Sequence, residues 1–495
     1  MFEKITPDEA GISSARVKEF MAALRRRGTR MHSVLMMKGN NIFAEYYWAP
    51  FDKDFCHRMY SETKSYVGVA IGLLEEEGKL DINDPIIKYF PEKLDTPLPE
   101  WLGEQTIKNM LTMSTVGGHK NWFTNEDTDR THLYFNGRGR QRPAGTIWEY
   151  DSAGSQVLSS LVEKLSGMRL FDYLNEKIFK HLGTFKTATL LKTKNGDSWG
   201  DSSMICTTRD MASFARFVMN YGTWNGKRLM NEKYLRDATS PIVSNRETAH
   251  DSVYRSGYGY QIWCTEEGGF CFNGMGAQYT VCIPKYDLIF VCTADMQGNG
   301  MAPQIILGNF FDIIVQNMEN EPLSPDPVSE KLLADETRDL KLYALWGNED
   351  SPFRGELDGV TYACEENPMG WSEFRVKFAE DGRSGELHYV NAQGEKCLPF
   401  GVNYNVFGKF PQLGYSNDFG GLRTTDGFTY KDAVAMTWLE EKKIMIDVQI
   451  IDRYFGNFSI IIAFKGEDAV VKMTKTAEDF LNEYNGTALA HVKRS

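Results

Sequence analysis

Several kinds of segment are missing from this 495-residue chain, and each absence excludes a class of protein. No run of about 18 apolar residues occurs, so the sequence predicts no membrane-spanning helix. The N-terminal residues carry early charges and lack an apolar core of about 7 to 15 residues, so they indicate neither a signal peptide nor an anchor. We therefore expect a cytoplasmic protein without a membrane partner.

Blocks of positive charge and closely spaced cysteines are also missing. The formal net charge is −12, and lysine and arginine form no cluster that would follow a phosphate backbone, so we expect no nucleic-acid partner. The eight cysteines include no CxxC pair and have no histidine at metal-ligand spacing. Buried free thiols are the favoured state, although the even number also permits disulfides. We expect no metal and no other cofactor.

Two signatures of other hydrolases are absent as well. The chain has no GxSxG, the nucleophile turn of α/β-hydrolases. Its eight histidines show neither HExxH nor HxH spacing, which argues against a metal hydrolase. His57 lies four residues before Ser61. We interpret it as a structural residue, with a role in orienting the site as the alternative.

Length and composition favour a globular protein of two domains. Hydrophobic residues make up 42% and charged residues 25%, the balance of a chain that buries a large core. We predict a first domain at residues 1–320, a linker at 321–340 and a second domain at 341–495. The linker is indicated by three prolines within six residues, between 322 and 327.

The secondary-structure pattern differs between the two predicted domains. In the first, a hairpin near residues 33–48 and strands after Tyr258 enclose a mostly helical stretch, which indicates an α+β domain whose early and late strands are neighbours in one sheet. From about residue 355 to 475, roughly eight short β-forming runs alternate with Gly, Asn and Asp turns. Such a series predicts a small antiparallel barrel or sandwich.

The stretch "YSETKSYVGVAIGLL" places Ser61 three residues before Lys64 at the start of an apolar helix. Residues at this spacing share a helix face, with Cβ atoms about 5–6 Å apart, so Lys64 is able to reach the Ser61 hydroxyl. A serine needs such a base before it acts as a nucleophile. Taken alone, the tetrapeptide is a weak signal that favours a helix cap followed by a surface lysine.

Other segments remove that ambiguity, because the chain resembles the serine β-lactamase and penicillin-binding-protein-like hydrolases over roughly residues 5–318. The resemblance includes the esterase, D-aminopeptidase and 6-aminohexanoate-dimer-hydrolase-like members of that family. Five segments occur in the family's order: "YSETKSYVGVAIGLLEEEGKLDINDPIIKYFPE", "TIKNMLTMSTVGG", "RPAGTIWEYDSAGSQVLSSLVEKLSG", "DSSMICTTRDMASFARFVMNYGTWNGKRLM" and "NGMGAQYTVCIPKYDLIFVCTAD".

The resemblance implies the fold and the principal catalytic residues. The expected fold class is α+β: a β-lactamase/transpeptidase-like domain, with an antiparallel sheet flanked by helices and an all-helical region. A small antiparallel, lipocalin-like barrel is expected to follow it. By the resemblance, Ser61 is the acylated nucleophile, Lys64 its proton acceptor, and Tyr150 the tyrosine that passes the proton on. Ser152 occupies the position of an asparagine in the family's YxN element and is expected to hydrogen-bond Lys64 or substrate.

A second departure from the family affects the strand that usually carries KTG or HTG. Here the strand has Phe272, Asn273 and Gly274, so the cation that would anchor a substrate carboxylate is missing. Gly274 still permits close approach of the strand to substrate. The Met275 N–H is expected to form the oxyanion hole with the Ser61 N–H, although Gly276 is one alignment step away. Ser152 and Phe272 are therefore expected to decide the substrate.

These residues predict a serine hydrolase for small esters or amides, with D-amino-acid or ω-amino-acid amides among the candidates. The alternatives are an acyltransferase that passes the acyl group to an alcohol or amine, and a non-catalytic binding protein of the same fold. The expected partner is a small-molecule substrate, and formation of a homo-oligomer is left open. Aromatic side chains cluster near the motifs, and most of them are expected to belong to the core, namely Trp148, Tyr258, Tyr260, Trp263 and Phe272. Those in the loops around 119–135, Trp122 and Phe123, are the better candidates for an apolar acyl or amide pocket.

Overall fold

The computed structural model describes residues 2–95, 97–118, 129–137, 141–249, 251–421 and 428–494. The chain forms two compact units, Met1–Lys341 and Leu342–Ser495. The segment predicted as a linker is not an irregular connection, because it contains a helix, Pro327–Thr337, that belongs to the first unit. Asp326 caps this helix and Pro327 occupies its first turn, where proline needs no N–H partner.

Helices and strands alternate irregularly along the first unit. Its helices are α1 (Ser14–Arg26), α2 (Thr63–Glu76), α3 (Glu100–Glu104), α4 (Ile107–Leu111), α5 (Arg130–Asn136), α6 (Ser152–Ser166), α7 (Leu170–Leu174), α8 (Lys180–Leu182), α9 (Thr208–Met219), α10 (Glu232–Ala238) and α11 (Pro327–Thr337). Its strands are β1 (Glu3–Lys4), β2 (Met31–Lys38), β3 (Asn41–Tyr47), β4 (His57–Arg58), β5 (Thr189–Leu190), β6 (Met204–Cys206), β7 (Thr223–Trp224), β8 (Lys227–Arg228), β9 (Trp263–Cys264), β10 (Phe270–Gly274), β11 (Gln278–Ile283) and β12 (Leu288–Ala294).

A seven-stranded sheet in the order β1-β3-β2-β12-β11-β10-β9 forms the middle of the first unit. Only the pairing of β1 with β3 is parallel. The central pairing joins β2 to β12, with Met36 opposite Phe290. The prediction that early and late strands are neighbours in one sheet is therefore confirmed, and so is the α+β class.

Both faces of the sheet are covered. On β12, Ile289 and Val291 belong to one hydrophobic core, which includes α2, α6 and α9. Phe290 and Cys292 belong to a second core, which includes α1 and the helical turns between residues 304 and 315. Successive side chains of a strand point to opposite faces, and this two-sided burial explains why the strand is buried at every position and almost entirely apolar.

Helix α2, which follows Ser61, lies in the interior of its unit. A Cβ on Gly68 would be 2.6 Å from the carbonyl oxygen of Tyr260, and a Cβ on Gly72 would overlap the ring of Tyr234. The Tyr234 hydroxyl donates a hydrogen bond to the Gly68 carbonyl at 2.7 Å. The two glycines therefore allow neighbouring chain segments to lie against the helix and fix its position.

The second unit is built mainly from strands. They are β13 (Thr361–Cys364), β14 (Glu373–Phe378), β15 (Ser384–Asn391), β16 (Gly394–Val402), β17 (Val406–Leu413), β18 (Thr429–Glu440), β19 (Lys443–Ile451), β20 (Phe455–Lys465), β21 (Asp468–Lys475) and β22 (Gly486–Val492), and a short helix, α12 (Arg354–Leu357), precedes them. Nine of these strands close into a barrel, and β17 pairs with β18 outside the ring.

The barrel closes where β16 pairs with β18, with Gly401 opposite Ala435. This seam is parallel, whereas the other pairings are antiparallel. The predicted small barrel is confirmed. Its walls alternate as a barrel requires: on β14, Phe374 and Val376 are buried while Arg375 and Lys377 are exposed.

Within the described residues of both units, no helix is long and apolar enough to cross a membrane. All eight cysteines have free thiols, and five of them are buried.

Candidate active site

Ser61 sits in a tight helical turn, Tyr60–Glu62, immediately before α2. Tyr60 has a φ of +50°, an unusual conformation for a bulky residue and a typical one for functional turns. Thr63 stabilises the turn from below: its hydroxyl donates to the Tyr60 carbonyl at 2.6 Å and accepts from the Met204 N–H at 2.9 Å. The turn leaves Ser61 partly exposed at the edge of a cavity.

Lys64 is buried beside Ser61 rather than exposed on the helix surface. Its side chain is only 2% accessible. The ammonium nitrogen donates to Ser61 Oγ at 2.9 Å and to the carbonyl oxygen of Asp201 at 2.7 Å. The first contact is within the range over which a neutral amine would take the serine proton. The arrangement therefore provides a nucleophile with a base in direct hydrogen-bond contact.

Tyr150 lies at the same site with its ring toward Lys64. The Lys64 ammonium is 5.1 Å from the ring centroid, and the ring stacks on Trp263 at 5.7 Å. Tyr150 is 38% exposed, and its hydroxyl makes no hydrogen bond with the residues the structure describes. Because catalytic hydrogen bonds often form only with substrate bound, the open position is compatible with the predicted proton relay.

Ser152 is the first residue of α6, whose N-terminus is capped by Asp151. The Asp151 carboxylate accepts from the Gly154 N–H at 2.9 Å and from the Thr115 hydroxyl at 2.8 Å. These bonds hold the segment that carries Tyr150. Ser152 itself is half-buried and is not among the described residues that line the cavity.

Phe272, which the sequence analysis expected to help decide the substrate, is not among the described residues that line the cavity. Phe272 is fully buried, and its ring packs against Phe214 of α9 at 5.7 Å and against Phe270 at 5.8 Å. Side chains alternate along a strand, so Asn273 rather than Phe272 lines the cavity. At this position the family's cation is replaced by a side chain of the hydrophobic core.

Gly274 brings β10 against the turn that carries Ser61. A Cβ at this position would lie 2.0 Å from the carbonyl oxygen of Met59. The next residue, Met275, is exposed and lines the cavity together with Ser61 and Asn273. The Gln278 side chain donates to the carbonyl oxygens of Met275 at 3.0 Å and of Ala294 at 2.7 Å, and so fixes the hairpin that holds Met275.

The cavity at Ser61 has a volume of about 1210 Å³. One wall is aromatic: Trp148, Tyr150 and Tyr254 all pack around Trp263, with centroid distances of 5.3, 5.7 and 5.1 Å. Of the other aromatic residues near the motifs, Tyr258 and Tyr260 are buried and do not line the cavity, and Trp122 and Phe123 lie outside the described residues.

Charged side chains also reach the cavity, and the sequence analysis did not identify them. Arg142 and Glu149 form an ion pair at 2.6 Å. Asp251 caps the turn that leads to Tyr254 by accepting from the Val253 N–H at 3.3 Å, and it has no ion-pair partner among the described residues. These residues are on loops without a recognisable motif, so only their proximity to Trp148 and Trp263 would have suggested them.

His57 is a structural residue, as predicted. Its ring nitrogen Nε2 is 2.8 Å from Nδ1 of His32, and its Nδ1 is 3.0 Å from the Arg58 carbonyl, to which it donates. Burial lowers the pKa of His57 to about 3 and lowers the pKa of His32 as well. The pair is therefore neutral at physiological pH, and it supports β4 rather than the cavity.

One group of donor atoms in the second unit resembles a metal site. Glu386, His388 and Cys397 bring their donor atoms within 4.8 Å of one another. However, Arg375 is paired directly opposite His388, and Lys377 opposite Glu386, on the adjacent strand. Their positive charges oppose a bound cation, so we assign no metal site to the described residues.

Glu62 provides a test of the electrostatics beside the nucleophile. It is fully buried and accepts from the Thr280 hydroxyl at 2.9 Å, and burial raises the pKa of its carboxyl to about 8. The unfolded chain loses this proton near pH 4.3, so folding takes up a proton between about pH 4.3 and 8. The stabilisation that comes from this uptake is complete below that window and is lost as pH rises through it.

We expect Glu62→Gln, which mimics the protonated acid, to gain stability relative to the wild type as pH rises. The difference in free energy of unfolding should grow by about 1.4 kcal/mol per pH unit through the window. Urea denaturation of both proteins at pH 5, 6, 7 and 8 measures it. A difference that does not change with pH would show that Glu62 is ionised in the folded protein.

Gly274→Ala should displace β10 from the turn, because the added methyl group would lie 2.0 Å from the carbonyl oxygen of Met59. We expect a loss of about 1–3 kcal/mol in stability, the usual cost of overpacking, and a fall in the rate at which a fluorophosphonate labels Ser61. Gly355→Ala is the control, because a Cβ there meets nothing within 4 Å and Gly355 is outside the cavity lining. Equal behaviour of the two variants would contradict the close approach.

The family model described as Beta-lactamase matches residues 14–304. A 6-aminohexanoate-dimer hydrolase from Paenarthrobacter ureafaciens is 26% identical over 288 residues, which cover 54% of this chain and 73% of that protein.

Two solved structures show the same fold. A penicillin-binding protein homologue from Caulobacter crescentus has a TM-score of 0.53 at 15% identity and covers 63% of this chain and 99% of its own. A family VIII carboxylesterase has a TM-score of 0.50 at 14% identity, with coverages of 60% and 97%.

Proposed function

Because this chain belongs to the beta-lactamase family and is a serine hydrolase of that family, we propose that it cleaves small esters or amides through an acyl-Ser61 intermediate. The observation that carries the proposal is the buried Lys64, 2.9 Å from Ser61 Oγ at the edge of the cavity. A lysine with only a structural role would not need to donate to a cavity-facing serine. A non-catalytic binding protein would have no use for this pair.

In the proposed acylation step, Ser61 Oγ attacks the substrate carbonyl carbon while its proton passes to the neutral amine of Lys64. The bond to the leaving group then breaks, and the leaving group receives a proton through Tyr150. Water attacks the acyl-enzyme by the reverse transfers and releases the acid. Direct contact of nucleophile and base is typical of such covalent catalysis.

The backbone N–H groups of Ser61 and Met275 are proposed to bind the oxyanion that forms in both steps. Two features support this choice over Gly276. Met275 directly follows Gly274, which packs against the Ser61 turn, and its own carbonyl is held from behind by Gln278. The Gly276 carbonyl instead accepts from the Met296 N–H at 3.0 Å, which ties that residue to the opposite side of the hairpin.

We propose amides or esters that carry an ammonium group as the preferred substrates. Arg142 is neutralised by Glu149, whereas Asp251 has no ion-pair partner among the described residues, so the described lining carries a net negative charge. Aromatic faces next to a carboxylate are a typical environment for an ammonium ion. The named activity of the Paenarthrobacter relative, on a dimer of an ω-amino acid, agrees with this substrate class.

Acyl transfer is the second candidate, and the size of the cavity favours it. Sites for one small molecule usually have volumes of about 300–1000 Å³, whereas this cavity measures about 1210 Å³. It therefore has room for an alcohol or amine beside the acyl group. Addition of a primary alcohol during ester turnover, with quantification of the new ester against the free acid, measures the partition between transfer and hydrolysis.

Ser61→Ala should abolish the burst of p-nitrophenol from a short-chain p-nitrophenyl ester, because no acyl-enzyme forms without the hydroxyl. Mass spectrometry of the wild type after treatment with a fluorophosphonate should show the label on Ser61. Ser65→Ala, four residues further along on α2, is the matched control and should retain the burst. A wild-type protein that is labelled elsewhere, or not at all, would refute the assignment of Ser61 as the nucleophile.

Asp251→Asn should lower kcat/KM about tenfold for 6-aminohexanoyl p-nitroanilide, equivalent to about 1.4 kcal/mol of lost interaction with the ammonium group. Hexanoyl p-nitroanilide, which lacks that charge, should be turned over at an unchanged rate. Asp237→Asn, on α10 and outside the cavity lining, is the control variant. Equal losses with both substrates would mean that Asp251 supports the loop and does not recognise the amine.

A further inference from the structure

Lys64 has a second hydrogen-bond acceptor, the carbonyl oxygen of Asp201, and the loop that supplies it is held by charged groups. This loop, residues 199–202, lies between β5 and β6. The Trp199 N–H donates to the Leu191 carbonyl at 2.9 Å, which ties the loop to the segment after β5. The position of the Asp201 carbonyl therefore depends on what fixes residues 199–202.

Arg58 joins this loop to the turn that carries the nucleophile. Its Nε donates to the Ser202 carbonyl at 3.0 Å, and its Nη2 to the Ser202 hydroxyl at 3.1 Å. The same guanidinium is 4.2 Å from the ring centroid of Tyr60 and 4.6 Å from that of Trp199. Arg58 is 3% exposed, so a buried charge connects the residue before Ser61 with the loop that holds Lys64.

Arg130 approaches the same loop from α5. Its guanidinium is 5.0 Å from the Trp199 ring centroid, and its Nη1 is 3.7 Å from the carboxylate of Asp201. Asp201 is 1% exposed. A buried carboxylate of this kind requires a nearby positive charge, and the attraction fixes the residue whose carbonyl binds Lys64.

We propose that Arg58, Trp199 and Arg130 form a cationic clamp whose function is to position Lys64 against Ser61. The inference rests on the proposed function, in which Lys64 is the base. None of the three residues is among the described residues that line the cavity, so the clamp acts through the Asp201 carbonyl and not on substrate. They are positioning residues. Their loss should slow acylation and leave substrate binding nearly unchanged.

The expected effect follows from the geometry of proton transfer. The base must remain within hydrogen-bond distance of the Ser61 hydroxyl, and a displacement of about 1 Å costs on the order of 100-fold in rate. Without the clamp, the loop can move and Lys64 loses the acceptor that holds its side chain in place. The hydroxyl then meets the base in a smaller fraction of molecules.

The experiment compares Arg58→Lys, Arg58→Met and Trp199→Leu with the wild type. Three quantities are measured: the rate constant of fluorophosphonate labelling at Ser61, and the acylation rate constant and the substrate dissociation constant for a p-nitrophenyl ester, both taken from the burst phase. We expect Arg58→Met and Trp199→Leu to lose about 10- to 100-fold in the labelling rate and in the acylation rate constant, with the dissociation constant within about twofold. Arg58→Lys retains the charge but not the two-point contact and should show an intermediate loss.

Two controls and one conservative variant make the result interpretable. Arg209→Met removes the ion pair with Glu45, and Trp224→Leu removes a half-buried tryptophan of β7. Both residues are outside the cavity lining. Both should be labelled at the wild-type rate. Asp201→Asn retains the backbone carbonyl and the shape of the side chain, so it tests the Arg130 contact even if the larger changes prevent folding. We expect a loss of about tenfold in its labelling rate.

Three outcomes would overturn the clamp: labelling of the folded variants at the wild-type rate, losses confined to the substrate dissociation constant, or equal losses in the two controls. Failure of the wild-type protein to be labelled at Ser61 is a different result, because it would refute the proposed function and this inference together.

Discussion

The site depends on one interaction, the burial of the Lys64 side-chain nitrogen between two oxygen atoms. One is the Ser61 hydroxyl and the other is the Asp201 carbonyl. A side-chain nitrogen removed from water needs such partners, because a buried polar group without a hydrogen bond is costly. Three segments enclose this side chain: the turn of Ser61, the loop of Asp201 and the glycine face of α2. The nitrogen still contacts Ser61 Oγ.

The central sheet contributes to the site through close packing. Gly274 lies against the Met59 carbonyl, so the strand that borders the cavity and the turn that carries the nucleophile share one boundary. Cores on both faces of the sheet leave β10 little freedom to shift. The residues that meet at the cavity come from separate parts of the chain, and the packed sheet holds β10 in place against the Ser61 turn.

The sequence predicted the parts of the site that follow from local spacing. It was less informative where the position of a side chain depends on which face of a strand it occupies. Ser61 and Lys64 were recognisable from their spacing of three residues, and Tyr150 from the resemblance of its segment to the family's YxN element. The face of β10 on which the Phe272 side chain lies was not recognisable. This strand is buried on both sides, and its apolar run has no periodicity that separates core positions from cavity positions. Asp251 and Arg142 lie on loops, where tertiary contacts alone bring them to the cavity. The proline-rich segment after residue 320 suggested a linker. Proline also begins helices, as Pro327 does, so composition alone does not separate the two cases.

Pairing between distant strands has a consequence for the order in which the chain is made. In the first unit β2 pairs with β12, and in the second β13 pairs with β22. A ribosome therefore releases β2 and β13 long before these distant partners, so each strand has its hairpin neighbour, β3 or β14, but one open edge. Loop closure over such separations is slow, and during that time the exposed strand edges are open to pairing with other chains. Each unit of this hydrolase thus passes through a period of synthesis in which protection by chaperones has the greatest value.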